Sequence, residues 1–489
     1  MVNHNAVATG DAVFHVETHG IDVIDAKARH GKPKELFWVW LAGQLTFSGF
    51  IIGQLFTQMG LSLWESLAVS ALCALSFVIL GWASLPGSKA GTATLTITRA
   101  IFGVKGNVVP SLFSWLNMVG WEAVTTVLTV YAFLSVFGVV GLPANGTGPL
   151  VAAIILSIVL TFSIPILGHA TVVVMQRILA YGVGVLSVVL FFVIAPHVHW
   201  NYAPAASAMW TSGLTTTMIF ALSIGLMSTV LSWTNYASDY TRYLPKDSNG
   251  KQIVMYTWLG SGLAAFVVLA LGVMLGTITN PKMYASNPVG AIMAVLPHWY
   301  VLPFLAVTIL GQVTANYLNA YSSAMSFLAM GFRIKRYQSA ILDATVAILV
   351  ALYALFFAPQ FLSFFINFLS LSVLVIGPWT AMFIVHYWLS RGRYDSHSLV
   401  LMSPKSAYWY QNGWNWSALG IFLASAFLAL WTVNSTLWVS PLSKTLFGGM
   451  DLSSFSGPII AGLLYALYYK KVLVPSARPL GLELDPTSN

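Results

Sequence analysis

The sequence predicts an all-α polytopic membrane protein with about twelve transmembrane helices, and three observations carry this prediction. Apolar residues make up 57% of the 489 residues and charged residues only 7%, whereas soluble domains carry about 25% charged residues. The apolar residues are concentrated in about twelve runs, and a helix needs about 20 such residues to cross a bilayer. The basic residues are distributed very unevenly among the gaps between these runs.

The apolar runs define the individual spans. We number them in chain order and predict spans 1 to 12 at residues 36–58, 62–84, 108–138, 149–167, 170–195, 214–237, 253–277, 299–329, 339–358, 361–389, 416–436 and 455–474. The longest internal gaps are residues 87–106 and 390–415, and neither is long enough for a soluble domain. We therefore expect one integral membrane unit.

The basic residues predict the orientation of the chain. Twenty of the 22 Lys and Arg residues lie in, or nearest to, one alternate set of gaps and termini, and only Lys282 and Lys444 lie in the other set. Because basic loops remain on the cytoplasmic side, we expect both termini in the cytoplasm, an even number of spans, and residence in the inner or plasma membrane. The net charge of +8 is scattered over these loops, where anionic lipid is the nearer partner, so we expect no nucleic-acid partner.

The N-terminal region and the cysteine content add two expectations. The first 35 residues are polar and lack the apolar stretch of a signal peptide, so we expect a cytoplasmic lead that is not cleaved. The single cysteine, Cys73, lies in an apolar run and cannot form an intrachain disulfide.

Spans 1 and 6 contain polar, glycine-bearing stretches in place of a uniform apolar sequence. Residues 43–49 read Gly-Gln-Leu-Thr-Phe-Ser-Gly, and residues 223–235 are similarly rich in Ser and Thr. Transporters built from inverted repeats interrupt the first helix of each repeat near the midplane. The five-span interval therefore predicts two five-helix halves followed by two extra helices, although small residues also serve close helix packing.

Glu122 is the acidic residue nearest to the middle of a span. Because an ionisable group at bilayer depth is costly, it is a candidate proton carrier or substrate ligand. The alternative is a protonated carboxyl group that only joins two helices. Glu65 and Asp343 lie nearer to the ends of their spans and are weaker candidates.

Two tryptophans lie beside polar residues inside spans. Trp121 precedes Glu122, and Trp233 lies between Ser232 and Asn235. This combination suits a flat heterocycle, which offers a ring face for stacking and edges for hydrogen bonds. With 18 tryptophans in the chain, a packing or interfacial role is the alternative.

Span 8 carries three oxygen-bearing residues on one helical face, Asn319, Ser322 and Ser323. Hard cations such as Na⁺ bind oxygen ligands, so this face could form a small cation site opposite an interrupted helix. Polar packing between helices is the alternative.

Sequence motifs of enzymes and pumps are absent from the chain. It contains no HExxH, GxSxG, Walker loop or CxxC sequence, and its histidines lie mostly in the lead and in loops. We therefore expect neither an enzyme nor a primary pump, which leaves a secondary transporter or a channel.

Three stretches resemble the nucleobase:cation symporter-1 family, and within it the purine–cytosine permease branch. They are residues 16–22, the loop 91–107 and residues 232–245, the last with the specific sequence Ala-Ser-Asp-Tyr-Thr-Arg-Tyr. The resemblance implies the leucine-transporter-like fold of two inverted five-helix repeats plus two helices, working by alternating access. It implies import of cytosine or a purine with Na⁺ or H⁺ as coupling cation and no other cofactor. The expected units are a lead (1–35), a transport core (36–389), a loop with spans 11 and 12 (390–474) and a tail (475–489).

The resemblance also implies site residues. The family's Gly-Trp in span 3 makes Trp121 an aromatic wall of the substrate site. The implied substrate-binding residues are Ser48, Met118, Trp121, Glu122, Thr125, Ser232 and Trp233, with Val230 nearby. The implied cation ligands are Gly43, Phe47, Asn319, Ser322 and Ser323, as in sodium-coupled relatives.

Two departures from the family pattern leave the ligand open. His386 stands where the family often has an acid at the end of span 10, and Met118 or Thr125 stands where some relatives have an amide. The same fold could therefore carry allantoin, a hydantoin or a pyridine vitamin. The alternative from a different functional class is an uncoupled channel or a receptor that does not transport its ligand.

Overall fold

The structure, a computed structural model, describes residues 13–17, 19–357, 360–435 and 437–473. Within these ranges the regular elements are helices, apart from two isolated β-bridges. Nine helices in this part of the chain are long and apolar enough to cross a membrane, and a bent pair of helices is a tenth candidate span. The prediction of an all-α polytopic membrane protein is confirmed. Residues 1–12 of the predicted lead and the predicted tail lie outside the described residues.

The long helices correspond to the predicted spans. Spans 2 to 10 are Leu63–Ala90, Val108–Val139, Thr147–Leu167, His169–Ile194, Leu214–Thr234, Gly250–Gly276, His298–Ala329, Arg336–Phe357 and Phe361–Leu389. Shorter helices, Trp416–Leu430 and Ser453–Tyr468, occupy the positions of spans 11 and 12, and a π-helical turn, Tyr469–Leu473, continues the second of them. It remains a prediction that these two helices cross the membrane and that the spans number twelve. Short helices between the spans are Thr94–Ile97, Arg99–Phe102, Pro281–Ser286, Pro288–Met293, Ser396–Val400 and Pro441–Thr445.

Span 1 is broken in the middle, as its sequence predicts. Its halves, Glu35–Gln44 and Phe47–Gln58, meet at an angle of 57°. The Thr46 hydroxyl accepts a hydrogen bond from the backbone N–H of Gly49 and so caps the second half. The break brings backbone groups that are not part of a regular helix, and the positive end of a helix dipole, into the interior of the protein.

Span 6 departs from a regular helix less than span 1 does. An α-helix, Leu214–Leu226, runs into a π-helical turn, Met227–Leu231, which is followed by one short turn ending at Thr234. The hydroxyls of Ser228 and Thr229 both donate to the carbonyl oxygen of Gly225, at 3.0 and 2.6 Å. Such side-chain bonds compete with the helical ladder, which explains the irregular turn. The predicted interruption therefore takes the form of a π turn.

The packing of the helices places both irregular segments in the centre of the protein. Span 3 packs along spans 4, 8 and 9, and the second half of span 1 packs along span 7. At that contact a Cβ atom on Gly53 would lie 2.0 Å from the carbonyl oxygen of Leu269, and one on Gly272 would lie 2.3 Å from that of Phe50. Glycine thus allows the two backbones to touch.

Candidate functional site

A central cavity lies where the break of span 1 meets spans 3, 6, 7 and 8. The space left free between its walls is about 30 Å³, so the walls lie close together in this structure. Its walls consist of Gln44, Thr46, Ser48, Gly49, Ile52, Trp121, Thr125, Ser228, Thr229, Trp233, Ala265, Val268, Leu269, Ala315 and Asn319.

Two tryptophans form aromatic walls of this cavity. Trp121 and Trp233 are each only 7% exposed. The ring of Trp121 meets Phe365 and Phe368 edge to face, with centroids 5.6 Å apart in both pairs. Trp233 meets Trp40 in the same manner at 5.9 Å. These contacts fix the orientation of both rings, which is the condition for a stacking surface of low entropic cost.

Polar groups on the same walls have spare hydrogen-bonding capacity. The indole N–H of Trp121 and the side-chain amide nitrogen of Gln44 are buried and have no hydrogen-bond partner among the described residues. Since buried donors are nearly always paired, both are suited to a ligand. The Asn319 side-chain oxygen accepts from the Tyr236 hydroxyl at 2.7 Å, which holds this amide in a fixed orientation at the cavity.

Other polar groups of the cavity are bonded to span 8. The Thr125 hydroxyl lies 3.0 Å from the side-chain oxygen of Asn316. Ser48 donates through its backbone N–H to the side-chain oxygen of Gln312 at 3.3 Å, and the Gln312 amide donates to the Ser48 hydroxyl at 3.1 Å. These bonds connect spans 1 and 3 to span 8 directly beside the cavity.

The structure brings together part of the predicted substrate site. Four of the seven predicted residues line the cavity: Ser48, Trp121, Thr125 and Trp233. The other three are buried but are not among the cavity walls: Met118, Glu122 and Ser232. Three further wall residues, Gln44, Thr46 and Gly49, belong to the stretch 43–49, whose polar sequence had already predicted the break of span 1. Ala265, Val268 and Leu269 of span 7 were missed, because nothing distinguishes them from any other apolar residues of a buried helix.

Glu122 belongs to a second polar cluster, between spans 3, 8 and 9. Its carboxyl group lies beside the Asp343 carboxyl group and the Ser323 hydroxyl. Asp343 accepts from the indole N–H of Trp115 at 2.8 Å and from the Ser323 hydroxyl. Two neighbouring carboxylates repel each other strongly in a low-dielectric interior, so this pair requires a proton or a cation. Sequence position alone had made Asp343 a weak candidate.

The three predicted cation ligands of span 8 bond to different neighbours in the structure. Asn319 bonds to Tyr236 at the cavity, the Ser322 hydroxyl donates to the Tyr240 hydroxyl at 3.4 Å, and Ser323 bonds to Asp343. Helical geometry separates adjacent residues by about 100°, which directs Ser322 and Ser323 to different neighbours.

The side chains around the other two predicted positions, in span 1, are apolar; the ligands that the resemblance implies there are backbone carbonyl oxygens, so these two stay predictions. Gly43 lies against the Leu318 and Trp233 side chains, and the Phe47 ring packs edge-on against Phe50 and Phe304.

An earlier part of span 8 lies opposite the break of span 1. The Thr314 hydroxyl is 3.1 Å from the carbonyl oxygen of Ala42. A Cβ atom on Gly311 would lie 2.5 Å from the carbonyl oxygen of Leu45. The carbonyl oxygens at the break therefore face residues 311–314, roughly one and a half to two turns before Asn319.

A broken central helix beside an enclosed, partly polar cavity is the architecture of a secondary transporter, and comparisons with known proteins agree. Residues 23–457 match the model of a family described as permeases for cytosine/purines, uracil, thiamine and allantoin. The chain belongs to this permease family. Membership confirms the resemblance that the sequence predicted, and the expectation of a permease in place of an enzyme.

Individual relatives cover nearly the whole chain. The putative purine-cytosine permease YxlA of Bacillus subtilis is 25% identical over 470 residues, which are 93% of this chain and 96% of the relative. The purine-cytosine permease FCY21 of Saccharomyces cerevisiae is 23% identical and covers 91% and 84%. The solved structure of Mhp1, a nucleobase-cation-symport-1 family transporter in a closed conformation with bromovinylhydantoin bound, superimposes with a TM-score of 0.75 at 18% identity, covering 96% and 97%. This likeness confirms the predicted fold class.

Proposed function

We propose that the protein imports a nucleobase, cytosine or a purine, together with Na⁺ or H⁺, by alternating access. Family membership and the names of the relatives support the substrate class. The distribution of basic residues supports an orientation with both termini in the cytoplasm, so that import is movement toward the basic side.

The observation that carries the proposal is the pairing of aromatic walls with unused donors in one enclosed cavity. A nucleobase would stack on Trp121 or Trp233. Its carbonyl oxygen would accept from the Trp121 indole or the Gln44 amide, whose donors have no other partner among the described residues. Its amino group would donate to the side-chain oxygen of Asn319, since an amide oxygen can accept two hydrogen bonds.

The coupling cation has two candidate positions, each with its own chemistry. Na⁺ would bind oxygen ligands at the break of span 1, where the Ala42 carbonyl faces the Thr314 hydroxyl. A proton would bind to the pair Glu122–Asp343, with Ser323 as a neighbour. Asn319 remains a candidate ligand on the cavity side of the break.

The second candidate function keeps the fold and changes the ligand to another small N-heterocycle, such as allantoin, a hydantoin or a pyridine vitamin. The description of the family, which includes allantoin, and the hydantoin bound to Mhp1 favour this alternative. An uncoupled channel or receptor would bind ligand without concentrating it.

Uptake by the purified protein in proteoliposomes tests the proposal. Radiolabelled cytosine and adenine should accumulate above equilibrium when an inward Na⁺ or H⁺ gradient is imposed, and accumulation should collapse when an ionophore dissipates that gradient. Competition by unlabelled allantoin, hydantoins and pyridine vitamins distinguishes the second candidate. Equilibration without accumulation under either gradient would contradict a symporter.

A further inference from the structure

A buried carboxylate in the N-terminal lead joins parts of the protein that are distant in sequence. Glu17 is only 3% exposed. One of its oxygens accepts from the Arg242 guanidinium and from the Tyr243 hydroxyl, each at 2.6 Å. Both partners lie in the segment that follows span 6. The same oxygen also accepts from the Tyr321 hydroxyl of span 8 at 3.3 Å.

The second carboxylate oxygen of Glu17 contacts the opposite group of helices. It accepts from the backbone N–H of His169, the first residue of span 5, at 3.0 Å. The Arg336 guanidinium of span 9 lies 3.8 Å from it. The backbone N–H of Glu17 donates to the carbonyl oxygen of Leu167, the last residue of span 4, at 2.7 Å.

The residues after Glu17 are attached to the ends of spans 2 and 6. Arg242 donates to the carbonyl oxygen of Gly20 at 2.6 Å. Arg29 donates to the carbonyl oxygen of Ser88, near the end of span 2, at 2.8 Å. The backbone N–H of His30 donates to the carbonyl oxygen of Tyr243 at 2.9 Å. We name Glu17 together with residues 19–30 the N-terminal strap.

The strap therefore connects two helix groups at one side of the membrane, which the basic residues identify as the cytoplasmic side. Alternating access moves one group of helices relative to another around the central site. The strap bonds to the segment after span 6 and the end of span 2 on one side, and to the ends of spans 4, 5 and 9 on the other. Arg242 and Glu17 form a buried ion pair, and separation of such a pair is costly unless both charges reach water.

We propose that the N-terminal strap is a latch that holds the cytoplasmic side closed, and that inward opening requires the Glu17 carboxylate to leave Arg242 and Arg336. This proposal rests on the proposed alternating-access function but not on the identity of substrate or ion. The latch is an electrostatic contact made by a segment outside the twelve predicted spans, so it regulates the conformational change without touching the substrate cavity.

The test measures access to the cavity from the cytoplasmic side. Ala315, on the cavity wall, is replaced by cysteine in a Cys73→Ala background, and a membrane-impermeant maleimide is added to inside-out vesicles. Glu17→Gln keeps the size of the side chain and removes its charge, so labelling should be roughly tenfold faster or more. Tyr243→Phe removes its hydrogen bond to Glu17 and leaves the ion pair intact, so it should accelerate labelling by roughly fivefold.

Asp22→Asn is the matched control, because Asp22 is an exposed acid in the same strap and its loss of charge should leave the labelling rate unchanged. The latch is overturned if Glu17→Gln and Tyr243→Phe both label at the parental rate, or if Asp22→Asn accelerates labelling equally. Tyr243→Phe keeps the proposal falsifiable if Glu17→Gln does not fold. Since labelling needs no substrate, a failure of nucleobase uptake leaves this test unaffected.

Discussion

Replacement of Trp121 by alanine tests the aromatic wall of the proposed nucleobase site. The Trp121 ring lines the cavity, is 7% exposed, and is held by the edges of Phe365 and Phe368. Stacking of a base on an aromatic side chain contributes about 1–3 kcal/mol. Loss of this contact should therefore raise the dissociation constant for cytosine or adenine by roughly 5-fold to 150-fold.

Trp121→Phe separates stacking from hydrogen bonding. Phenylalanine keeps a ring face but lacks the indole N–H, which has no partner among the described residues and is free to bind a substrate carbonyl. A hydrogen bond contributes about 1 kcal/mol net, so this variant should bind about fivefold more weakly than the parent protein. The expected order of affinity is parent, then Trp121→Phe, then Trp121→Ala.

Equilibrium binding of radiolabelled cytosine and adenine to the detergent-purified protein is the assay. Trp379→Phe is the matched control, because Trp379 is 2% exposed, has an indole N–H without a partner in the described ranges, and is not a wall of the cavity. It should bind both bases with the parental affinity. Parental affinity in a folded Trp121→Ala variant would refute the stacking role.

Three further predictions concern packing and coupling. Gly53→Ala places a Cβ atom 2.0 Å from the carbonyl oxygen of Leu269. The free energy of unfolding, measured by thermal unfolding in detergent, should therefore fall by roughly 1–3 kcal/mol. Gly182→Ala is the control, because the space around its Cβ position is open, and it should unfold like the parent protein. For a sodium-coupled protein, Thr314→Val should raise the Na⁺ concentration that gives half-maximal uptake, since it removes a hydroxyl at the break of span 1; an unchanged value would exclude Thr314 as a ligand. For a proton-coupled protein, Glu122→Gln should bind substrate but lose accumulation driven by a pH gradient, and parental accumulation would assign Glu122 to helix packing alone.

The general course of the chain was predictable because hydrophobic length and polar interruptions are local properties. The runs that define spans 2 to 10 were visible directly, and the sequence of residues 43–49 identified the break of span 1. The detailed form of span 6 was not predictable, since its π turn depends on which carbonyl the Ser228 and Thr229 hydroxyls select.

The candidate site was predictable only where a residue type is itself unusual. Trp121 and Trp233 stand out inside spans, and both line the cavity. The position of Asp343 beside Glu122 depends on how spans 3 and 9 pack. The spacing of residues along a single helix carries no information about this packing. The same limit applies to span 8, where the polar face at Asn319 was visible but the approach of Thr314 to span 1 was not.

Protection of a cavity cysteine by substrate tests most directly whether this cavity is the nucleobase site. In a Cys73→Ala background, Ala315→Cys places a thiol on the cavity wall, and Ser135→Cys places one in a separate surface pocket at the far end of span 3. Cytosine or adenine should slow alkylation at position 315, with half-protection at the concentration that half-saturates binding, and should leave position 135 unaffected. Alkylation at position 315 that proceeds at the same rate with saturating nucleobase, in protein that still binds it, would place the substrate elsewhere and contradict the account.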